Sequence, residues 1–465
     1  MKSLKYMCGR NNFIALQTDL YQLTMAAGYY KYKRNTIGTF EMFIKRMPPQ
    51  RGYFIACGLE QVVEYLTNLK FTTEEIDFLK NHPSFKDIES DFFEYLKDFR
   101  FTGEVRAVPE GTIIFADEPI IQITAPIIEA QIVETYILSV IHIQTLVATK
   151  ASRVVQAATK DGIKRVVVDF GSRRAHGPQA AYLAARASYI GGCDGTSNVY
   201  AGMKFNIPTY GTMAHSWIES FDREEQAFQS YFNLYPDSTI LLVDTYNTIK
   251  GVEKALKISP KIKGIRLDSG DLLDLSIKAR KLLNEAGLNH VKIMASGNLN
   301  EYKIAELVER KAPIDSFGVG TELVTSSDLP AMDLIYKLVQ IQEGNSIRYI
   351  AKFSPKKETL PGKKQIFRFL NENGKFLYDF LDLENNTKMK KGLPLLEKII
   401  EKGKLIKPLP SLNQIRKHAN ENLENLPEEY KDFSNPRIYP VKVSPEINKI
   451  INKLKEERRT NGRKN

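Results

Sequence analysis

Between Val166 and Trp217 the chain gathers an aromatic residue, two arginines, several small hydroxyl residues and two histidines, in the order VVVDF, GSRRAHGP, GGCDGTSN, GTMAHSW. Phe170 beside Arg173 suits a flat aromatic acid. An aromatic face takes the ring, and a guanidinium forks onto a carboxylate or phosphate. Arg174 reads as an exposed helix-start arginine, and His176 carries no assigned role. His215 is a side chain whose neutral ring is a nucleophile near pH 7; a loop-holding histidine or a simple general base are the plainer alternatives. Further on, IRLDSGD supplies Arg266, Asp268 and Asp271 after an apolar run. ASGN (Ser296, Gly297, Asn298) and GVGT (Gly318, Gly320, Thr321) also follow apolar runs, the first directly before a helix. Loops of that kind aim backbone N–H groups at an anion. A lone DSG is a common turn and GVG alone is generic, so it is the pairing of two such loops that points to a phosphorylated partner.

These groups need a frame that brings loops together. From residue 163 the pattern becomes strand, loop, helix, repeated. The spacing predicts strands at 166–170, 208–211, 239–244, 263–268, 291–296 and 314–318, with helices at 177–190, 222–232, 247–257, 271–286 and 300–310. Such alternation predicts parallel βα units with both faces covered. The polar motifs sit just after the strands: Phe170 and Arg173, Thr212 and His215, Asp244, Asp268, Ser296 to Asn298, Gly318 to Thr321. A barrel collects all its strand ends on one face, whereas an open sheet does so only near its switch point. The expected fold class is therefore α/β, an irregular parallel (β/α) barrel with an N-terminal α+β domain and a C-terminal extension, divided 1–130, 131–350 and 351–465. In the first part a helix is expected over 18–32 with Thr18 as N-cap, then a strand over 37–45 with Phe40, Met42 and Ile44 on one face. Helices follow at 58–69, 73–80 and 88–98, then a β-rich stretch at 104–125. A long helical stretch from 127 to 159 is expected to be interrupted, with His142 packed on its apolar face.

Composition bounds the reading. The chain has 465 residues, 43% apolar and 26% charged, which suggests two or three soluble domains. Three scattered cysteines, Cys8, Cys57 and Cys193, make no disulfide framework and no metal-ligand spacing. No secretory signal and no membrane-length apolar run is seen, so a cytoplasmic setting without a membrane partner is expected. The net charge of +11 comes from residues 351–465, which hold 26 Lys+Arg against 15 Asp+Glu. That excess lacks interleaved aromatics and reads as a solvated face with a frayed terminus, EERRTNGRKN, rather than a nucleic-acid surface.

The ordered blocks TDLYQLTMAAGYY, DFGSRRAHGP, GGCDGTSNVYAG, GTMAHSW, IRLDSGDL, ASGNLNEYKI, SFGVGTELVTS and LPGKKQIFR resemble the nicotinate phosphoribosyltransferase family, over most of the chain. The resemblance implies nicotinate, phosphoribosyl pyrophosphate and ATP as substrates, Mg²⁺ as cofactor, and a homodimer in which the tyrosine matching Tyr21 reaches the neighbouring subunit's site. It implies a nicotinate pocket of Tyr21, Phe170, Arg173 and Ser197, with Arg266 and Asp268 catalytic. It places Thr212, Asp271, Ser296, Gly297, Asn298, Gly318, Gly320 and Thr321 at the phosphoribosyl and phosphate groups. His215 is then the residue that takes phosphate from ATP. Such a transfer passes through an oxocarbenium-like state and needs a stabilised leaving group, a sugar anchor, a phosphate cradle and a base platform. Nicotinamide and quinolinate phosphoribosyltransferases are the neighbouring alternatives. A basic RNA- or nucleotide-binding protein is the alternative of another class, and polar residues at all six strand ends speak against it.

Overall fold

Five of the six apolar runs expected after residue 163 form strands in the computed structural model, which describes residues 15–353, 358–386 and 391–461. They are Val166–Asp169, Ile240–Leu242, Gly264–Leu267, Lys292–Ala295 and Ser316–Val319. The run at 208–211 contributes an isolated parallel bridge between Thr209 and Thr196. Pro208 opens that run without an N–H to donate, so no longer ladder forms there. The short strand Gly195–Thr196, absent from the sequence reading, completes the sheet. Its order is Gly195–Thr196, Val166–Asp169, Ser316–Val319, Lys292–Ala295, Gly264–Leu267, Ile240–Leu242, with every pairing parallel. Helices Pro178–Ile190, Glu224–Leu234, Thr248–Ala255, Leu272–Glu285 and Glu301–Glu309 make the crossovers that parallel neighbours require. Among the described residues no ladder joins the two outer strands. The fold is thus mixed α/β with a parallel sheet, and the expected barrel closure is not made by backbone pairing.

This sheet belongs to one of two compact units, Ile143–Ala331 with Leu412–Asn420. The other comprises Met1–His142, Met332–Ser411 and Glu421–Asn465, so neither unit is a single consecutive stretch. The physical reason lies in strand Thr36–Ile44. It is buried along nearly its whole length and needs a partner on each edge. Ile121–Pro126 covers one edge, and Leu334–Glu343 pairs antiparallel with the other. Glu397–Glu401 similarly pairs with Glu104–Ala107. The one-faced alternation of Phe40, Met42 and Ile44 is corrected as well: Glu41 and Phe43 are also buried. Glu41 is tolerated there because Lys364 lies 2.6 Å away and Gln122 donates to it at 2.8 Å.

The first helix begins at Leu20 with Asp19, not Thr18, at the N-cap. Asp19 accepts a hydrogen bond from the Thr135 hydroxyl at 2.8 Å, and the Thr18 hydroxyl donates to the Ile132 carbonyl at 3.3 Å. The long helical stretch is interrupted, into Ile127–Ile132 and Glu134–Ala158. His142 accepts from the Met332 N–H at 3.0 Å and burial lowers its pKa, as a packed histidine should behave. The terminus expected to fray continues as helix Pro445–Asn461; residues 462–465 and Cys8 lie outside the described residues. Among the described residues no helix is long and apolar enough to cross a membrane.

Candidate active site

The aromatic and arginine loop is built on Asp169, the last residue of its strand. The fully buried Asp169 carboxylate accepts from the Gly171 N–H at 2.7 Å and the Thr196 hydroxyl at 2.7 Å, and its carbonyl accepts from the Ser197 N–H at 2.8 Å. One side chain thus fixes both the Phe170–Arg173 loop and the GTSN loop. Burial pushes its carboxyl up to about 6. Phe170 follows half-buried, its N–H on the Val319 carbonyl at 2.8 Å. Arg173 is exposed in the one-turn helix Ser172–Arg174, and Ser197 is half-buried. Gly318 lies in strand Ser316–Val319, where a Cβ would come within 2.5 Å of the Phe170 ring. Its visible task is to make room for that ring. The turn before GTSN is held from far along the chain, because Arg416 donates to the Gly192 carbonyl at 2.8 Å and stacks over Tyr189 at 4.3 Å.

A second cluster joins two further strand ends and the loop after the Thr209 bridge. Arg266 donates to the Thr212 hydroxyl, to the Met213 carbonyl at 3.1 Å and to Asp268 at 3.4 Å. Burial holds its pKa below the ordinary arginine value, Asp268 and Asp244 oppose that, and the charge of Arg173 adds to it. Arg173 and Arg266 therefore feel one another, which ties the ring loop to this cluster. Asp244 accepts from the Asp268 N–H at 2.9 Å and the Ser269 hydroxyl at 2.6 Å. Its other oxygen is buried without a partner. His215 opens helix His215–Glu219 with its side chain 40% exposed. Its Nδ1 is 3.1 Å from the Thr245 hydroxyl and its Nε2 is 3.9 Å from Asp268.

The third element is the Ser296–Asn298 turn. The Ser296 hydroxyl donates to Asp268. Gly297 has φ +89°, and a Cβ there would fall 1.9 Å from the Asp268 carbonyl oxygen, so no other residue fits. Asn298 is also left-handed, at φ +47°. The helix that follows, Glu301–Glu309, is anchored by Glu301, which meets Lys150 and, at 2.9 Å, Arg153 in a buried ion network. Asp271 caps helix Leu272–Glu285, accepting from the Leu273 and Asp274 N–H groups at 3.1 Å. Asp268, Asp271, Gly297 and Asn298 share a cavity of about 490 Å³ with Lys303 and Arg310. Gly320 precedes the short helix Thr321–Val324, and Thr321 is exposed.

One unit thus carries Phe170, Arg173 and Ser197 on loops tied to Asp169, and Thr212, His215 and Ser296 around Arg266 and Asp268. Tyr21 lies in the other unit, 50% exposed on helix Leu20–Tyr32. The sequence reading left Asp169, Thr245 and Arg416 without roles and gave Asp244 only a position. Asp169, Asp244 and Asp268 carry a common signal, a largely apolar run ending in aspartate: VVVD at 169, LLVD at 244, IRLD at 268.

Family models match three stretches of the chain: the nicotinate phosphoribosyltransferase N-terminal domain at residues 16–142, the nicotinate phosphoribosyltransferase family at 166–359, and the corresponding C-terminal domain at 392–451. The nicotinate phosphoribosyltransferase of Mycobacterium tuberculosis is 44% identical over 95% of this chain and 94% of its own length. That of Bacillus subtilis is 37% identical over 96% and 98%. The crystal structure of human nicotinic acid phosphoribosyltransferase superposes with a TM-score of 0.82 at 28% identity, covering 94% of this chain and 99% of that one.

Proposed function

Because this chain belongs to the nicotinate phosphoribosyltransferase family, and is an enzyme of that type, we propose that it joins nicotinate to phosphoribosyl pyrophosphate, with ATP hydrolysis coupled through phosphorylation of His215. The observation that carries this reading is the open charge cluster around Asp268. It sets a ribose-hydroxyl acceptor between Arg266, His215 and the Ser296–Asn298 turn, with valences still unfilled on Asp244 and Arg266. Asp268 receives the ribose hydroxyls, the turn and the helix behind it take a phosphate, and Arg266 stabilises the departing pyrophosphate. Phe170 carries the pyridine ring, with Arg173 at its carboxylate. Nicotinate nitrogen is unprotonated at neutral pH, so its attack on the ribose carbon needs no base.

His215 is therefore free for another task. With its Nδ1 proton on Thr245, Nε2 keeps its lone pair and attacks the γ-phosphorus. A nitrogen–phosphorus bond forms, the bond to the bridging oxygen breaks, and ADP leaves with that electron pair. Water later attacks the phosphohistidine and releases phosphate. Among the described residues no group of three or more His, Cys, Asp or Glu side chains could cage a metal. The buried, unpartnered oxygen of Asp244 and the half-exposed Asp268 do fit the mode in which Mg²⁺ takes one or two carboxylates plus substrate phosphates. The metal, when bound, neutralises pyrophosphate charge.

The acid is the expected substrate, not the amide. The acids beside the ring loop and the GTSN loop are occupied, Asp169 by Gly171 and Thr196 and Asp194 by the Val167 N–H, while Ser197 is neutral and Arg173 positive. Mononucleotide formation from phosphoribosyl pyrophosphate should be strong with nicotinate, stimulated by ATP, and at least ten-fold weaker with nicotinamide. Equal turnover of the amide would sink this assignment. The working unit in this reading is a cytoplasmic homodimer with Tyr21 reaching the partner's ring site. Mixing Tyr21→Ala with Arg173→Ala subunits should restore activity by pairing one intact site. Verified mixed dimers that stay inactive would count against sharing.

A further inference from the structure

The parallel sheet borders a cavity of about 1240 Å³, most of whose lining the chemistry above does not use. Its lining runs the full length of the strands. At the carboxyl ends it reaches Phe170 and Thr212; at the amino ends it reaches Lys164, Lys263 and Lys311. The walls between are apolar, formed by Val166, Val168, Ile240 and Met294. A sheet of this kind ordinarily fills such a space with large branched side chains, so the void is a feature of these residues.

The far mouth is cationic. Seven lysines and arginines line the cavity against three acids, Asp161, Glu309 and Asp315. Those three are taken up by Arg165 at 2.7 Å, by Lys160, and by Lys292 and Arg280 at 3.0 and 3.1 Å. Lys164, Lys263 and Lys311 are exposed, and no ion pair to them is recorded among the described residues. An unneutralised ring of positive charge at the opening of a low-dielectric channel concentrates anions.

We propose that this channel is the route by which nicotinate reaches Phe170, from the side opposite the sugar-phosphate loops. The inference rests on the reading of the enzyme given above. Phosphoribosyl pyrophosphate, held by Asp268 and the Ser296–Asn298 turn, lies across the carboxyl face of the sheet as a polyanion. A second anion coming by that face meets its bulk and its charge. The channel offers a separate path that ends at the ring platform. Its volume corresponds to roughly forty waters at about 30 Å³ each, so the carboxylate travels hydrated past walls that offer it nothing to bind.

A route differs from a site in its kinetic mark: obstruction slows arrival and departure equally and leaves affinity unchanged. Two variants test this. Val166→Phe narrows the mouth at a position 38% exposed and leaves Trp217 the single tryptophan. Lys164→Glu with Lys263→Glu and Lys311→Glu reverses the ring without touching the core. Stopped-flow fluorescence of Trp217, the single tryptophan, follows nicotinate binding to enzyme preloaded with phosphoribosyl pyrophosphate. Val166→Phe should lower association and dissociation each by ten-fold or more at constant Kd. The charge reversal should lower association about ten-fold at low salt and less at high salt, while phosphoribosyl pyrophosphate binding changes less than two-fold. Nicotinate association within two-fold of wild type in either folded variant overturns the route. An equal fall for phosphoribosyl pyrophosphate overturns it too. Wild-type enzyme that makes no mononucleotide at all would instead refute the enzyme reading.

Discussion

The two units each hold an arginine among carboxylates, and the two clusters are opposites. In the first unit Arg368 grips Asp379 at 2.6 and 2.9 Å, and its guanidinium lies over the Phe376 ring at 4.3 Å. Tyr439 donates to the same Asp379 at 3.2 Å. Glu118 is fully buried beside them, and burial, then the Asp379 charge, raises its pKa well above the ordinary carboxyl value. Its Oε2 accepts from the Phe115 N–H at 2.8 Å. In the second unit Arg266 reaches Asp268 only at 3.4 Å, His215 stands 3.9 Å from it, and both Asp268 and His215 face solvent in part. The same residue types are closed on themselves in one place and held apart in the other. The closed cluster organises a core; the open one leaves room for the charges of a substrate.

Breaking the closed cluster should cost stability and spare chemistry. Asp379→Asn leaves Arg368 buried without its counter-charge, a change of about 3–5 kcal/mol. Denaturant unfolding should show that loss, with kcat per folded molecule unchanged; an intact midpoint would remove the distinction. Glu118 adds a pH arm to the same titration. Its folded pKa is raised, so its contribution is whole below the unfolded value of 4.5 and is lost as pH rises through the folded value. Glu118→Gln should flatten that decline.

Opening the other cluster further should do the reverse. Arg266→Ala should lower kcat by roughly 10²- to 10³-fold, as removal of one transition-state donor does, with a small change in unfolding midpoint. A variant that loses fold and activity together would make the second cluster as structural as the first.

The contrast also explains what was legible in the chain. Apolar runs ending in polar residues gave away the strands after 163, because a parallel strand buried on both faces has no other composition to adopt. The groups proposed to act, Arg266, Asp268 and His215, are visible as motifs. The groups that hold them were harder to see. Asp169 reads as one more acid until the structure shows it bonded to two loops at once. Gly195–Thr196 has no apolar signal, and its place in the sheet is decided by Asp169 and Val168. Arg416 acts on the turn before GTSN from over two hundred residues away, a distance no local pattern spans. The two compact units are not consecutive in the chain for a like reason, since strand Thr36–Ile44 pairs both with Ile121–Pro126 and with Leu334–Glu343 far along the chain.

The central claim, that the open cluster couples ATP to base capture through one histidine, is tested most directly by labelling. Incubation with γ-labelled ATP should leave an acid-labile, base-stable phosphate on the wild-type protein and none on His215→Ala. That variant should still form mononucleotide slowly, without stimulation by ATP, because Phe170, Asp268 and the Ser296–Asn298 turn remain. Equal labelling of His215→Ala, or full ATP stimulation in it, would contradict the account.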